Sequence, residues 1–147
     1  KFRVGSMVVM EDGICKPSMY RKFHIKSFEG QDDFKSMEEV LFRRLKRLDT
    51  NNDLDKSFKK YPDMILVDGG KGQLSSAKSV IDHFKLDIEL VALAKKEEEL
   101  YLPNRKEPYL LNKDSEALFL LQNIRDEAHR FALKENRRLR AKEISNK

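Results

Sequence analysis

The chain has 147 residues, enough for one domain with its own core, and its 30 Lys and Arg against 25 Asp and Glu leave a formal charge of +5. That mild basic excess is compatible with a polyanionic partner without requiring one. The lone Cys15 excludes an internal disulfide framework and suits a reducing, cytoplasmic compartment, and no apolar run approaches the about 18 residues of a membrane span. "KFRVGSMVV" lacks the order of a signal peptide and enters a strand almost at once, so the chain reads as an excised piece of something longer.

In chain order, "VGSMVVMEDGICK" predicts a strand broken by Asp12-Gly13, a two-residue hairpin signal. The return strand "YRKFHIKSF" alternates, with Phe23 and Ile25 on one face and Tyr20, Lys22, His24 and Lys26 on the other, which is expected to be wet or charged. From Asp32 the pattern turns helical, with Met37, Leu41, Leu45 and Leu48 at helical spacing and Asp32-Asp33 placed to cap free amides. The polar stretch 49 to 61 reads as a mobile connection. Pro62 then opens "DMILVDGG", apolar on both faces as in a central strand, followed by a helix with Leu74, Ala77, Ile81 and Phe84 on one side. "IELVALAKK" is another apolar strand, "ELYLPNRKEPYLL" a hairpin around Pro103-Asn104-Arg105, and a long helix capped by Asp114 or Ser115 runs to about residue 143. The order predicts an α/β fold, a mixed sheet flanked by helices, in a single domain over residues 1–147.

Two segments carry chemistry-bearing residues. In "MILVDGGKGQLSSAK" the apolar strand stops at Asp68, and ligands of open α/β sheets sit at the carboxyl ends of strands. Asp68 is therefore a candidate site residue, with a helix cap as the structural alternative. "GGKGQL" has neither the spacing of a phosphate loop nor G-x-G-x-x-G, which argues against a nucleotide-binding protein. Lys71 opposes the dipole of the helix it starts, so it points to an anionic partner or is simply solvated. In "LLQNIRDEAHRFALK", Leu120, Leu121, Ile124, Ala128 and Phe131 form an apolar stripe, Gln122, Arg125 and His129 share its edge, and Asp126 faces outward. His129 is either a structural histidine or a partner of Asp68 at a metal or activated water, with Arg125 near a phosphate. His24 and His83 have weaker claims. Arg137, Arg138 and Arg140 suit phosphate contact on an otherwise solvated helix face.

Together, "VGSMVVMEDG", "PDMILVDGGKGQLSSA" and "DSEALFLLQNIRDEAHRFA", in this order and spacing, closely resemble the family of C-terminal endonuclease domains of UvrC, the bacterial nucleotide-excision-repair nuclease. The resemblance covers essentially the whole chain. It implies a ribonuclease-H-like fold and a Mg²⁺- or Mn²⁺-dependent cut on the 5′ side of a lesion in damaged double-stranded DNA, delivered by UvrB with UvrA upstream. By the same resemblance Asp68 matches a catalytic aspartate, His129 the catalytic histidine and Asp33 an acidic position associated with activity. Asp68 would hold metal, His129 would ligate metal or help move a proton at the attacking water, and Lys71, Arg125, Arg137, Arg138 and Arg140 would contact DNA. The family's first catalytic aspartate lies in an "FDxS" strand just before the first segment. The chain begins after it, so the resemblance implies a domain truncated by one central strand, stable and active only when that strand is supplied. A catalytically inactive ribonuclease-H-like module that binds nucleic acid or protein is the alternative.

Overall fold

Asp12 and Gly13 adopt φ of 53° and 79°, the left-handed pair that a two-residue hairpin turn requires, in the computed structural model, which describes residues 4–26, 32–48, 61–94 and 99–145. The hairpin itself is short, β2 (Met10–Glu11) against β3 (Ile14–Cys15). The longer ladder joins β1 (Val4–Met7) to β4 (Arg21–His24), antiparallel with Gly5 opposite Phe23. A 3₁₀ turn, Pro17–Met19, links the two ladders. The expected strand pair is present, with its first strand interrupted at Val8 and Val9.

Helix α1 (Asp33–Lys46) starts where the carboxylates predicted, with the Asp32 side chain accepting from the Lys35 N–H at 3.1 Å. The expected spacing buries Leu41 and Leu45 and packs Met37 and Leu48 beside them. The segment read as a mobile connection falls, apart from Tyr61, outside the described residues. Strand β5 (Met64–Asp68) leads into α2 (Lys71–His83), then β6 (Glu89–Leu93), β7 (Glu99–Tyr101), β8 (Tyr109–Leu110) and α3 (Glu116–Ser145). The sheet order is β5-β6-β7-β8, with β5 and β6 parallel and the remaining pairs antiparallel, so the expected mixed α/β architecture is observed. The Pro103 hairpin joins β7 to β8 as its residues predict. Of the two candidate caps for α3, Ser115 serves, its hydroxyl accepting from the Leu118 N–H at 3.2 Å.

Alternation along β6 divides the core between two layers. Leu90 and Ala92 pack with Leu41, Leu45, Leu74, Ala77 and Ile81 of α1 and α2, whereas Val91 and Leu93 pack with Leu100 and Leu118 under α3. Strand β5 follows suit, with Ile65 and Val67 on the first face and Leu66 on the second. It is covered on both faces as expected, and among the described residues it is paired along one edge only.

Two further readings are corrected in part. The face of β4 expected to be wet or charged is so along the strand itself, with Lys22, His24 and Lys26 exposed and Lys22 paired to Glu135 of α3 at 3.3 Å, whereas Tyr20 at its start is buried edge-on against Phe131, with ring centroids 5.1 Å apart. Alternation correctly separated this face from that of Phe23, over which the Arg43 guanidinium stacks at 5.1 Å. On α3, Leu120 is 44% exposed and the uncounted Leu118 is fully buried, because the face turned toward β6 and β7 begins one turn earlier than the apolar spacing suggested.

Candidate active site and basic helix face

Asp68 is the last residue of β5, exposed at the strand's carboxyl end. The chain then makes a turn that only glycine accepts at its first position. Gly69 has φ of 143°, its N–H donates to the Leu93 carbonyl at 3.1 Å, and a Cβ there would lie 2.5 Å from Gln73 Cδ. Gly70 is the N-cap of α2, and its N–H is bound by Gln73 Oε1 at 3.0 Å. The helix start is thus closed by Gln73 reaching back, and Asp68 does not cap it. Among the described residues the Asp68 carboxylate has neither a hydrogen-bond nor an ion-pair partner. The structural alternative raised for Asp68 is removed.

Lys71 is the first residue of α2 and is exposed, on the same turn as Asp68. Gly72, the next residue, lets the Phe34 ring lie against the helix, since a Cβ there would meet Phe34 Cε1 at 2.7 Å. Asp33, one residue before Phe34, therefore begins α1 beside the first turn of α2. Asp68 and Lys71 thus stand on one turn at the end of β5, and Asp33 begins the helix whose Phe34 packs against that of Lys71.

The remaining expected residues lie on α3. His129 is exposed, which excludes the buried structural histidine considered above, and its ring has no hydrogen-bond partner among the described residues. It lines an open depression with Asp126, Arg130, Leu133, Lys134 and Arg137. Arg137, Arg138 and Arg140 are all exposed, and Arg138 pairs with the buried Glu135, with Nη1 3.6 Å from Oε1. Arg125 points inward. Its side chain is 16% exposed, Nε lies 3.5 Å from Asp126 Oδ1, and its buried Nη1 has no hydrogen-bond partner among the described residues. The expected outward position of Asp126 is observed, at 72% side-chain exposure.

Metal-binding capacity is divided in the same way. The Asp68 carboxylate suits a hard divalent ion, which keeps several waters and takes one or two carboxylates, whereas the His129 ring nitrogen suits a softer ion better than Mg²⁺. Among the described residues no three His, Cys, Asp or Glu side chains are grouped closely enough to hold one unaided.

The sequence reading missed Tyr20, Glu127 and Arg130. Tyr20 Oη donates to Glu127 Oε2 at 2.5 Å, and Arg130 donates to the same carboxylate through Nε at 2.6 Å and Nη2 at 3.0 Å. The bond to Arg130, then that to Tyr20, holds the Glu127 carboxyl down at about 2, and burial together with Glu127 pushes the Tyr20 phenol well above its ordinary value. The spacing of Glu127 and Arg130 was a visible signal. The arrival of Tyr20 was not.

Residues 1–133 match the protein family described as UvrC RNAse H endonuclease domain. The chain is 49% identical over 142 residues to UvrABC system protein C of Methanococcus maripaludis, covering 96% of this chain and 26% of that protein. It is 50% identical over 131 residues to the protein of the same name from Dehalococcoides mccartyi, covering 88% and 21%, and 47% identical over 138 residues to that of Chlorobium chlorochromatii, covering 94% and 21%. The chain thus spans about a quarter or less of the curated relatives it matches.

Proposed function

Because the chain belongs to the UvrC RNase H endonuclease domain family, we propose that it is the metal-dependent nuclease domain that makes the 5′ incision in damaged DNA during nucleotide excision repair. The observation that carries this reading is the Asp68 carboxylate, exposed at the end of β5 and free of any protein partner among the described residues. A carboxylate that neither caps nor pairs is available to a ligand.

In this proposal Asp68 at the end of β5 and His129 on α3 would be brought together as ligands when an ion binds, with Asp33 contributing negative charge from the start of α1. Bound Mg²⁺ or Mn²⁺ supplies charge neutralisation at the phosphate and an activated water. Asp68 offers its oxygens without first breaking a hydrogen bond to any of the described residues. His129 offers a ring nitrogen to the ion or to the proton of the attacking water, and a solvent-accessible imidazole is suited to either task. Lys71 faces the scissile region from the same turn as Asp68, and Arg137, Arg138 and Arg140 follow the DNA backbone along α3. Arg125, turned inward, supports the helix from beneath. These contacts position the strand without reading its sequence, so recognition of damage is left to partners, here UvrB loaded by UvrA. No helix among the described residues is long and apolar enough to cross a membrane, which accords with action on cytoplasmic DNA.

The test is Asp68→Asn in the full-length protein, assayed by incision of a damaged duplex with UvrA and UvrB beside a thermal melt. An exposed, unpartnered side chain changes stability by no more than about 0.5 kcal/mol when replaced, so the melt should stay put while 5′ incision disappears. His129→Ala should likewise lower the incision rate by about 10²–10⁴-fold without moving the melt. Undiminished 5′ cutting by Asp68→Asn would refute the assignment and leave a nucleic-acid-binding module as the better reading.

A further inference from the structure

We propose that Arg130 grips a backbone phosphate of the DNA strand beside His129, and that Tyr20 and Glu127 are positioning residues that hold its guanidinium fork there. The inference rests on the DNA-cutting reading above and assigns a part of that site which the sequence motifs did not.

An exposed ion pair one helical turn apart ordinarily joins two mobile side chains and fixes neither. Here one partner is itself anchored. Glu127 is held by the phenol of Tyr20, which lies 107 residues earlier in the chain, is 8% exposed and is wedged against Phe131. The Arg130 guanidinium docks side-on against that carboxylate through Nε and Nη2, which uses two of its five N–H groups. Its planar fork turns the remaining three, two on Nη1 and one on Nη2, away from Glu127. They face solvent, since the Arg130 side chain is 58% exposed.

Arg130 lines the same depression as His129, with Lys134 and Arg137 one and two turns further along. A phosphodiester lying in that depression meets one immobile, bidentate-capable donor next to His129 and two flexible cations beyond it. Arginine is suited to the first role because two parallel N–H bonds fix a phosphate's orientation as well as its distance. A strand with its phosphate oriented at Arg130 presents a neighbouring bond to His129 in one register. Freed from Glu127, the same arginine would still attract DNA but would not set that register.

The test uses the full-length protein, with DNA affinity measured against salt, incision kinetics with UvrA and UvrB, and a melt for every variant. Arg130→Ala should lower the salt slope by about one and reduce incision roughly tenfold to a hundredfold, the range for one charge-assisted contact. Arg130→Lys should keep the slope, because it keeps the charge, and still lose most of the incision because it lacks the fork. Tyr20→Phe should reduce incision in the wild-type background and have no further effect on an Arg130→Ala background, since a positioning residue acts only through the group it positions. Should Tyr20→Phe fail to fold, Glu127→Gln takes its place in the same cycle. Wild-type incision by Arg130→Ala and Arg130→Lys, or a Tyr20 effect that adds in full to that of Arg130→Ala, overturns the proposal while Asp68→Asn remains inactive. If Asp68→Asn cuts like the wild type, the nuclease reading falls and takes this assignment with it.

Discussion

Gly5 gives the most direct test of how the β1–β4 ribbon is seated on α1. It lies mid-strand, where a glycine costs conformational entropy and contributes no side chain to packing, so from sequence alone Gly5→Ala should stabilise by about 0.5–1 kcal/mol. The tertiary contact reverses that sign. A Cβ built on Gly5 would sit 2.2 Å from Val40 Cγ2 and 3.3 Å from Ile25 Cδ1. Ordinary carbon contacts lie at about 3.5–4.0 Å, so either Val40 leaves its rotamer or strand and helix part, and overpacking of this kind costs about 1–3 kcal/mol. Set against the propensity gain, the net loss is about 1.5 kcal/mol, a fall of roughly 3–6 °C in the melting midpoint for a domain of this size. Far-UV circular dichroism melts of the wild type and of Gly5→Ala measure it. Adding Val40→Ala should recover part of the loss, since removing the opposing methyls restores the space and makes the two substitutions non-additive. A Gly5→Ala protein that melts at or above the wild type would refute the close approach of β1 to α1.

The three arginines late in α3 should not behave alike. Arg137→Ala and Arg140→Ala should each lower the salt slope of DNA binding by about one, whereas Arg138→Ala should lower it less and cost stability, because it leaves the buried Glu135 with Lys22 as its remaining cation. Equal slopes for all three would remove that distinction. The Glu127 clamp makes an acid-pH prediction. The carboxyl falls from 4.5 in the unfolded chain to about 2 when folded, so its contribution is fully present above about 4.5 and is lost as pH falls toward 2. The melting difference between wild type and Glu127→Gln should therefore be flat from pH 7 to pH 5 and shrink from pH 4 to pH 3. A gap that stays constant down to pH 3 would mean that the clamp does not stabilise the ionised form.

Local signals account for the parts of this protein that were legible in its residues. Asp12-Gly13 specifies a turn because the left-handed backbone there is open to those residue types, and Asp32 specifies a helix start because its oxygen reaches the Lys35 amide. Hydrophobic period separated the strands from the helices, and the two layers of β6 followed from alternation. Three quoted segments, in order, pointed to the family that residues 1–133 match.

What the sequence left open are the facts that depend on which elements come to lie together. Asp68 could have been a cap or a ligand until Gln73 was seen closing α2, and His129 could have been a core residue until its side of α3 was seen to face solvent. Alternation put Tyr20 on the polar face of β4 with Lys22, His24 and Lys26, and only the packing of α3 decides that its ring, unlike theirs, is buried. The Tyr20–Glu127–Arg130 clamp is the extreme case, a bond across 107 positions that no local period encodes. Spacing along the chain determines what a residue can do within its own helix or strand; only the packing of α3 across the ribbon decides that a buried phenol holds the carboxylate on which an exposed arginine rests.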